Sequence, residues 1–183
     1  MYGQQLNPHQ LELSGFFMSG QTPLYGNSLD ISGIAFAYSK YVFKKFNFGG
    51  ELGFGSINGS SRTGVFERFD DLGKNRNYFH YRLSIGYEPI QRERFSLGFQ
   101  MGALGFSYNG VTSMVTSGPG EIGEDPVRLT FGRLSQGFFT VGPYAIFKLT
   151  DNLFLKPQFN RGLVFDRSDW FLNSFSVGLG YRF

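Results

Sequence analysis

The sequence predicts an all-β fold, an eight-stranded antiparallel up-and-down barrel that crosses a membrane. Three observations predict it. Eight segments alternate large apolar with small or polar residues at a period of two, which sends the two kinds to opposite faces of a strand. The connections between them are alternately short and long. The chain also keeps its alternation to the last residue, ending FSVGLGYRF, where soluble domains usually fray into polar residues.

Composition agrees. A chain of 183 residues is most simply one domain, read here as a tail over 1–9 and a barrel over 10–183. It holds 23 Phe, 10 Tyr and 26 Gly, and this pairing favours strands: aromatics suit a pleated surface and Gly suits bends and crowded interiors. The absence of Cys excludes disulfides and thiolate metal sites. A net charge of +3 is too small and too dispersed for a nucleic-acid partner. No run approaches the roughly 20 apolar residues of a membrane helix, which leaves strands as the means of crossing. The opening MYGQQLNPHQ has neither the basic nor the apolar region of an export signal, so export is expected to depend on a segment absent from this chain.

The elements follow in order. In 10–19, Leu11, Leu13 and Phe17 share one face and Glu12 and Ser14 the other. In 31–43, Ile34, Phe36 and Tyr38 alternate with Ala35, Ala37 and Ser39. In 46–56, Phe46, Phe48, Leu52 and Phe54 oppose Asn47, Gly49, Glu51 and Gly53. In 78–88, Phe79, Tyr81, Leu83, Ile85 and Tyr87 oppose His80, Arg82, Ser84, Gly86 and Glu88. In 94–108, Phe95, Leu97, Phe99 and Met101 oppose Ser96, Gly98 and Gln100. In 136–149, Phe139, Val141, Ala145 and Phe147 oppose Thr140, Gly142, Tyr144 and Lys148. In 153–163, Leu153, Leu155 and Phe159 oppose Lys156, Gln158 and Asn160. The last, 170–183, carries Phe175, Val177, Leu179, Tyr181 and Phe183 against Ser174, Ser176, Gly178, Gly180 and Arg182.

Short turns fall at 44–45, 89–93 and 150–152, and long loops at about 20–30, 57–77, 109–135 and 164–169. Short turns at one end and long loops at the other, with an even strand number, are how a membrane barrel closes without a lipid-exposed edge. A soluble lipocalin-like barrel would alternate too, but it would bury the bulky set. An eight-stranded interior is only wide enough to be filled by side chains, so Gly, Ser, Glu and Arg fit inside and Phe, Leu and Tyr outside.

Over nearly its whole length the chain resembles the small eight-stranded outer-membrane barrels of the OmpX and OmpA transmembrane-domain type. Phe183, with Tyr181, Leu179, Val177 and Phe175 at alternate positions before it, resembles the C-terminal signal read by the outer-membrane assembly machinery. The resemblance implies residence in the outer membrane of a Gram-negative-type bacterium, with that machinery, outer-membrane lipids and lipopolysaccharide as partners.

With the polar face inward, Glu12, Glu51 and Glu88 meet Arg82, Lys148, Lys156 and Arg182, a near balance expected of charges that are costly to bury unpaired. Register pairs Glu51 with Arg82 and sets Glu12 against Arg182. A packed polar core, not an open pore, is the expectation. Towards the long loops Phe16, Met18, Leu104, Phe106, Tyr108 and Phe138 also fall inward; they are expected to plug the barrel, with a pocket for a lipid or other apolar ligand as the alternative. Tyr41, Phe46, Tyr78, Tyr87, Phe95, Trp170 and Tyr181, near strand ends, suit interfacial girdles.

Pro143 and Pro157 lie on the outward face of adjacent strands, and each removes a ladder donor. They mark a candidate seam for a lipid tail or a docked partner, and as a pair they resemble the proline-flanked lateral opening of the lipid A palmitoyltransferase barrel. That enzyme also needs a His near the outer surface, and loop 20–30 has none. Lipid A deacylase barrels use His and Ser two apart, whereas His80 is followed at that spacing by Arg82. Catalysis is not expected. Glu121, Glu124 and Asp125 match no established Ca²⁺ loop spacing, so neither metal nor cofactor is expected. Arg62, Arg68, Lys74 and Arg76 in loop 57–77 suit lipopolysaccharide phosphates or pairing with Glu67, Asp70 and Asp71. The sequence thus predicts a filled, non-enzymatic barrel with a structural or interaction role, an accessory subunit of a larger outer-membrane complex being one form of it.

Overall fold

The computed structural model describes residues 8–21, 28–57, 77–116, 127–164 and 171–183. Every regular element among them is a strand: β1 His9–Gln21, β2 Ser28–Phe43, β3 Phe46–Ile57, β4 Asn77–Gln91, β5 Phe95–Thr116, β6 Val127–Lys148, β7 Leu153–Leu163 and β8 Phe171–Arg182. Each pairs antiparallel with its neighbours, and β1 pairs with β8 from Gln10↔Arg182 to Gln21↔Phe171. The barrel is closed, so no edge strand is left within it.

The faces sort as the period-2 pattern dictates. Leu11, Leu13, Phe36, Leu83, Phe99 and Leu179 are among the large apolar side chains that stay exposed, each by half or more. A folded chain leaves such a continuous apolar wall uncovered only where the surroundings are themselves apolar. Phe175, Val177, Leu179, Tyr181 and Phe183 lie on that wall. The terminal residue is tied down: His9 and Phe183 exchange backbone hydrogen bonds of 2.9 and 3.0 Å, and their rings stack.

One expectation is corrected. Residues 109–116 and 127–135 read as loop from sequence, yet β5 and β6 continue through them, paired from Phe95↔Phe147 to Thr116↔Val127 with a bulge between Val111 and Ser113. At about 3.3 Å per residue and a tilt of about 40°, these 22-residue strands rise to about twice the height of an apolar band of about 25 Å. Beyond the band a two-stranded ribbon needs no oily side, so the pattern that identifies membrane strands fades. Residues 1–7, 22–27, 58–76, 117–126 and 165–170 lie outside the described residues, and with them Arg62, Glu67, Arg68, Asp70, Asp71, Lys74, Arg76, Glu121, Glu124, Asp125 and Trp170.

Candidate functional site: a sealed interior and an interrupted wall

The middle of the interior is an ionic layer. Arg82 Nη2 on β4 donates to Glu51 Oε2 on β3 at 2.5 Å, and His80 Nε2 lies 2.9 Å from Glu51 Oε1. The two strands are in register at Glu51↔Arg82, so the pair forms between direct neighbours. His80 is 0 % exposed, and Phe16 meets its ring edge-on at 4.9 Å. Gly53 makes room for it, because a Cβ there would overlap the imidazole. Sequence reading weighed His80 only as a catalytic residue; its inward position was the signal that it belongs to this layer. On the other side Lys156 Nζ donates to Glu12 Oε2 at 3.0 Å.

Glu12 was expected to face Arg182, and the structure corrects this. Arg182 stands opposite Gln10, one step closer to the barrel mouth. Glu12 stands opposite Gly180, and its carboxylate leans over Gly178, where a Cβ would collide with it, to reach Lys156 on β7. The absence of a side chain at Gly178 on β8 redirects the pair.

Below this layer, at the short-turn end, Glu88 is 1 % exposed and is held by hydroxyl and amide groups. Tyr41 donates to its Oε1, Tyr144 to the same atom at 3.2 Å, and Gln91 Nε2 to Oε2 at 3.1 Å. Asn47 Nδ2 donates to Tyr144 Oη at 2.9 Å, which spans the lumen from β3 to β6. Gln100 likewise crosses from β5 to Gln158 and Asn160 on β7. The Arg182 guanidinium covers the rings of Tyr41 and Phe154, with centroid distances of 5.4 and 5.9 Å. Lys148 is half-buried and has no carboxylate within ion-pair distance among the described residues. A cavity among the described residues of the polar layers is about 20 Å³, room for about one water molecule.

Above the ions the interior turns apolar. Phe16, Met18, Leu104, Phe106 and Phe138 are buried with Ile31, Tyr78 and Leu172, and Tyr108 packs on them half-buried. Phe106 stacks on Phe138 at 5.5 Å and on Tyr108 at 5.9 Å, and Tyr78 Oη donates to Met18 Sδ at 3.2 Å. These side chains fill one another's space. Tyr41 and Tyr78, expected in the interfacial girdles, are instead buried in the interior, because each sits on the inward parity of its strand. Phe46, Tyr87, Phe95 and Tyr181 face outward.

The wall is least regular between β6 and β7. There the ladder runs Phe139↔Leu163, Thr140↔Gly162 and Val141↔Arg161, resumes at Tyr144↔Gln158, and resumes again at Phe147↔Leu155. The gaps fall where the same register would pair Pro143 with Phe159 and Ala145 with Pro157. Each proline lacks the N–H that would close its pair. By contrast β7 pairs with β8 without a break from Leu153↔Tyr181 to Leu163↔Phe171.

No known family profile matches the sequence, and no characterised protein matches it by sequence. Solved structures do match the fold. Ail, the attachment invasion locus protein of Yersinia pestis, solved in complex with the heparin analogue sucrose octasulfate, is 12 % identical with a TM-score of 0.60, over 97 % of this chain and 99 % of that one. A major outer-membrane protein of Thermus thermophilus is 14 % identical with a TM-score of 0.61, over 97 % and 99 %. The N-terminal barrel domain of Pseudomonas aeruginosa OprF is 12 % identical with a TM-score of 0.54, over 95 % and 97 %. The chain has the fold of the small eight-stranded outer-membrane barrels.

Proposed function

We propose that this chain is an integral outer-membrane barrel with a structural or interaction role, acting as an accessory subunit of a larger outer-membrane assembly. The observation that carries the reading is the contrast between a filled lumen and an apolar outer wall. Contacts from Asn47 to Tyr144, Gln100 to Gln158 and Lys156 to Glu12 reach across parts of the interior, which supports a filled lumen. His80 is shielded by Glu51, Phe16 and Tyr78, so a substrate has no route to it, which supports a non-enzymatic role. What remains available to a partner is the wall and the outer loops.

On that wall the β6–β7 seam is the proposed docking surface. Two absent ladder bonds flanking Pro143 and Pro157 remove backbone pairing from an apolar face, where an unsatisfied backbone group costs several kcal/mol. A membrane-embedded partner that supplies donors there would recover part of that cost. The test is native mass after gentle extraction from the producing cell's own outer membrane, with mass spectrometry of co-migrating proteins. A reproducible large particle that is lost in a Pro143→Val/Pro157→Val variant is expected. Migration of the wild type as a lone barrel of 20.6 kDa plus detergent contradicts the accessory role.

A further inference from the structure

Arg133 faces outward on β6. Ser135, Gly137, Phe139 and Val141 follow it down the same face into the apolar wall. Its Nε and Nη2 both donate to Ser107 Oγ, at 3.1 and 2.8 Å, which fixes the guanidinium against β5. Three of its five N–H groups remain beyond those two bonds. No carboxylate lies within ion-pair distance of it among the described residues.

Arg133 borders a cavity of about 350 Å³ on the barrel wall, lined also by Phe54, Asn77, Phe79, Ser107 and Tyr108. Its depth can be read along the strands that border it, since strand tilt carries a row of paired residues to changing depth. The row Phe54↔Phe79, Phe79↔Ser107 and Ser107↔Ser135 runs round the barrel and changes from aromatic to hydroxyl side chains along its length. Below that row the outward residues are apolar, with Leu83, Ala103 and Phe139 exposed or half-exposed. Arg133, paired with Asn109, is the next outward residue above it. The site therefore sits where an oily wall gives way to water, at the end away from the short turns.

We propose that this cavity holds the phosphorylated headgroup of an outer-leaflet lipid. Arg133 is the one ionised group among the described lining residues, so the ligand is anionic. A guanidinium with a free edge pairs with phosphate oxygens in a forked geometry that Lys cannot reproduce. Asn77 and Ser107 offer further hydrogen bonds, and the rings of Phe54 and Phe79 face the apolar part of the same molecule. A soluble phosphate would leave those two rings uncovered. The inference rests on the outer-membrane reading, which sets this end of the barrel at the outer leaflet.

The experiment titrates the folded barrel in detergent, by native mass spectrometry, with bisphosphorylated lipid A, with the same lipid lacking its phosphates, and with inorganic phosphate. The phosphorylated lipid is expected to bind about tenfold more tightly than the dephosphorylated one, the effect of one lost charge-assisted hydrogen bond of about 1.5 kcal/mol. Arg133→Gln is expected to abolish that preference and Arg133→Lys to retain part of it. Arg161→Gln, at an outward arginine stacked on Phe171, is expected to leave it intact. Equal binding of the two lipids, a preference that survives Arg133→Gln, or inorganic phosphate binding as tightly as the lipid would overturn the proposal. Folding into lipid vesicles is read separately by the mobility shift of a folded barrel on gels. Failure of the wild type there would refute the membrane reading itself.

Discussion

The two halves of the interior are closed by different physics. In the half nearer the short turns each buried acid has designated partners: Glu51 has Arg82 and His80, Glu12 has Lys156, and Glu88 has Tyr41, Tyr144 and Gln91. In the other half Phe16, Met18, Leu104, Phe106 and Phe138 are held by filling space. A buried charge is expensive unless its own partner is present, so the ionic half specifies register. A hydrophobic cluster needs only suitable volume and patterning. The first half should resist changes of chemistry and the second only changes of volume.

The largest effect that sharpens this contrast is expected from Glu51→Gln, which keeps the shape and removes the charge. Arg82, itself buried, is left without its counter-ion, and breaking a buried pair this way costs about 3–5 kcal/mol. Denaturant unfolding of the barrel in lipid vesicles measures it, and a loss below about 1 kcal/mol would mean that solvent reaches Arg82 and that the ionic half is not sealed. Leu104→Met is the matching change in the aromatic half. It alters shape while keeping the volume and staying apolar, and a volume-conserving core swap of that kind costs less than about 1.5 kcal/mol. If it proves as costly as Glu51→Gln, the plug is as specific as the ion pairs and the contrast fails.

The same contrast explains what was legible in the sequence. The strands, their faces and the Glu51–Arg82 pair were readable because a period of two fixes which way each side chain points, and neighbouring strands set its height. The Glu12 partner was not readable. It depends on Gly178 opening a path across β8, and alternation carries no information about where an empty position lets a side chain lean. Tyr41 and Tyr78 were misplaced because nearness to a strand end was weighed above parity. The continuation of β5 and β6 was missed for a third reason: a ribbon outside the membrane has no oily face to advertise. Its trace was present all the same, in Val127, Leu129 and Phe131 alternating with Arg128 and Thr130.

The prolines were legible as a pair on one wall, as lost ladder donors and as a candidate seam. The observed register adds where the ladder is interrupted, at the levels where it would pair Pro143 with Phe159 and Pro157 with Ala145. Arg133 was invisible as a site for a related reason. It acquires meaning only once β6 is known to extend that far and Ser107 to lie beside it.

The central claim is that the lumen is closed in both halves, so that function resides on the outside. Single-channel recording of the purified barrel in a planar bilayer tests it most directly. The account predicts a silent membrane for the wild type under voltages at which open barrels conduct. Reproducible ohmic steps from the wild type would contradict it.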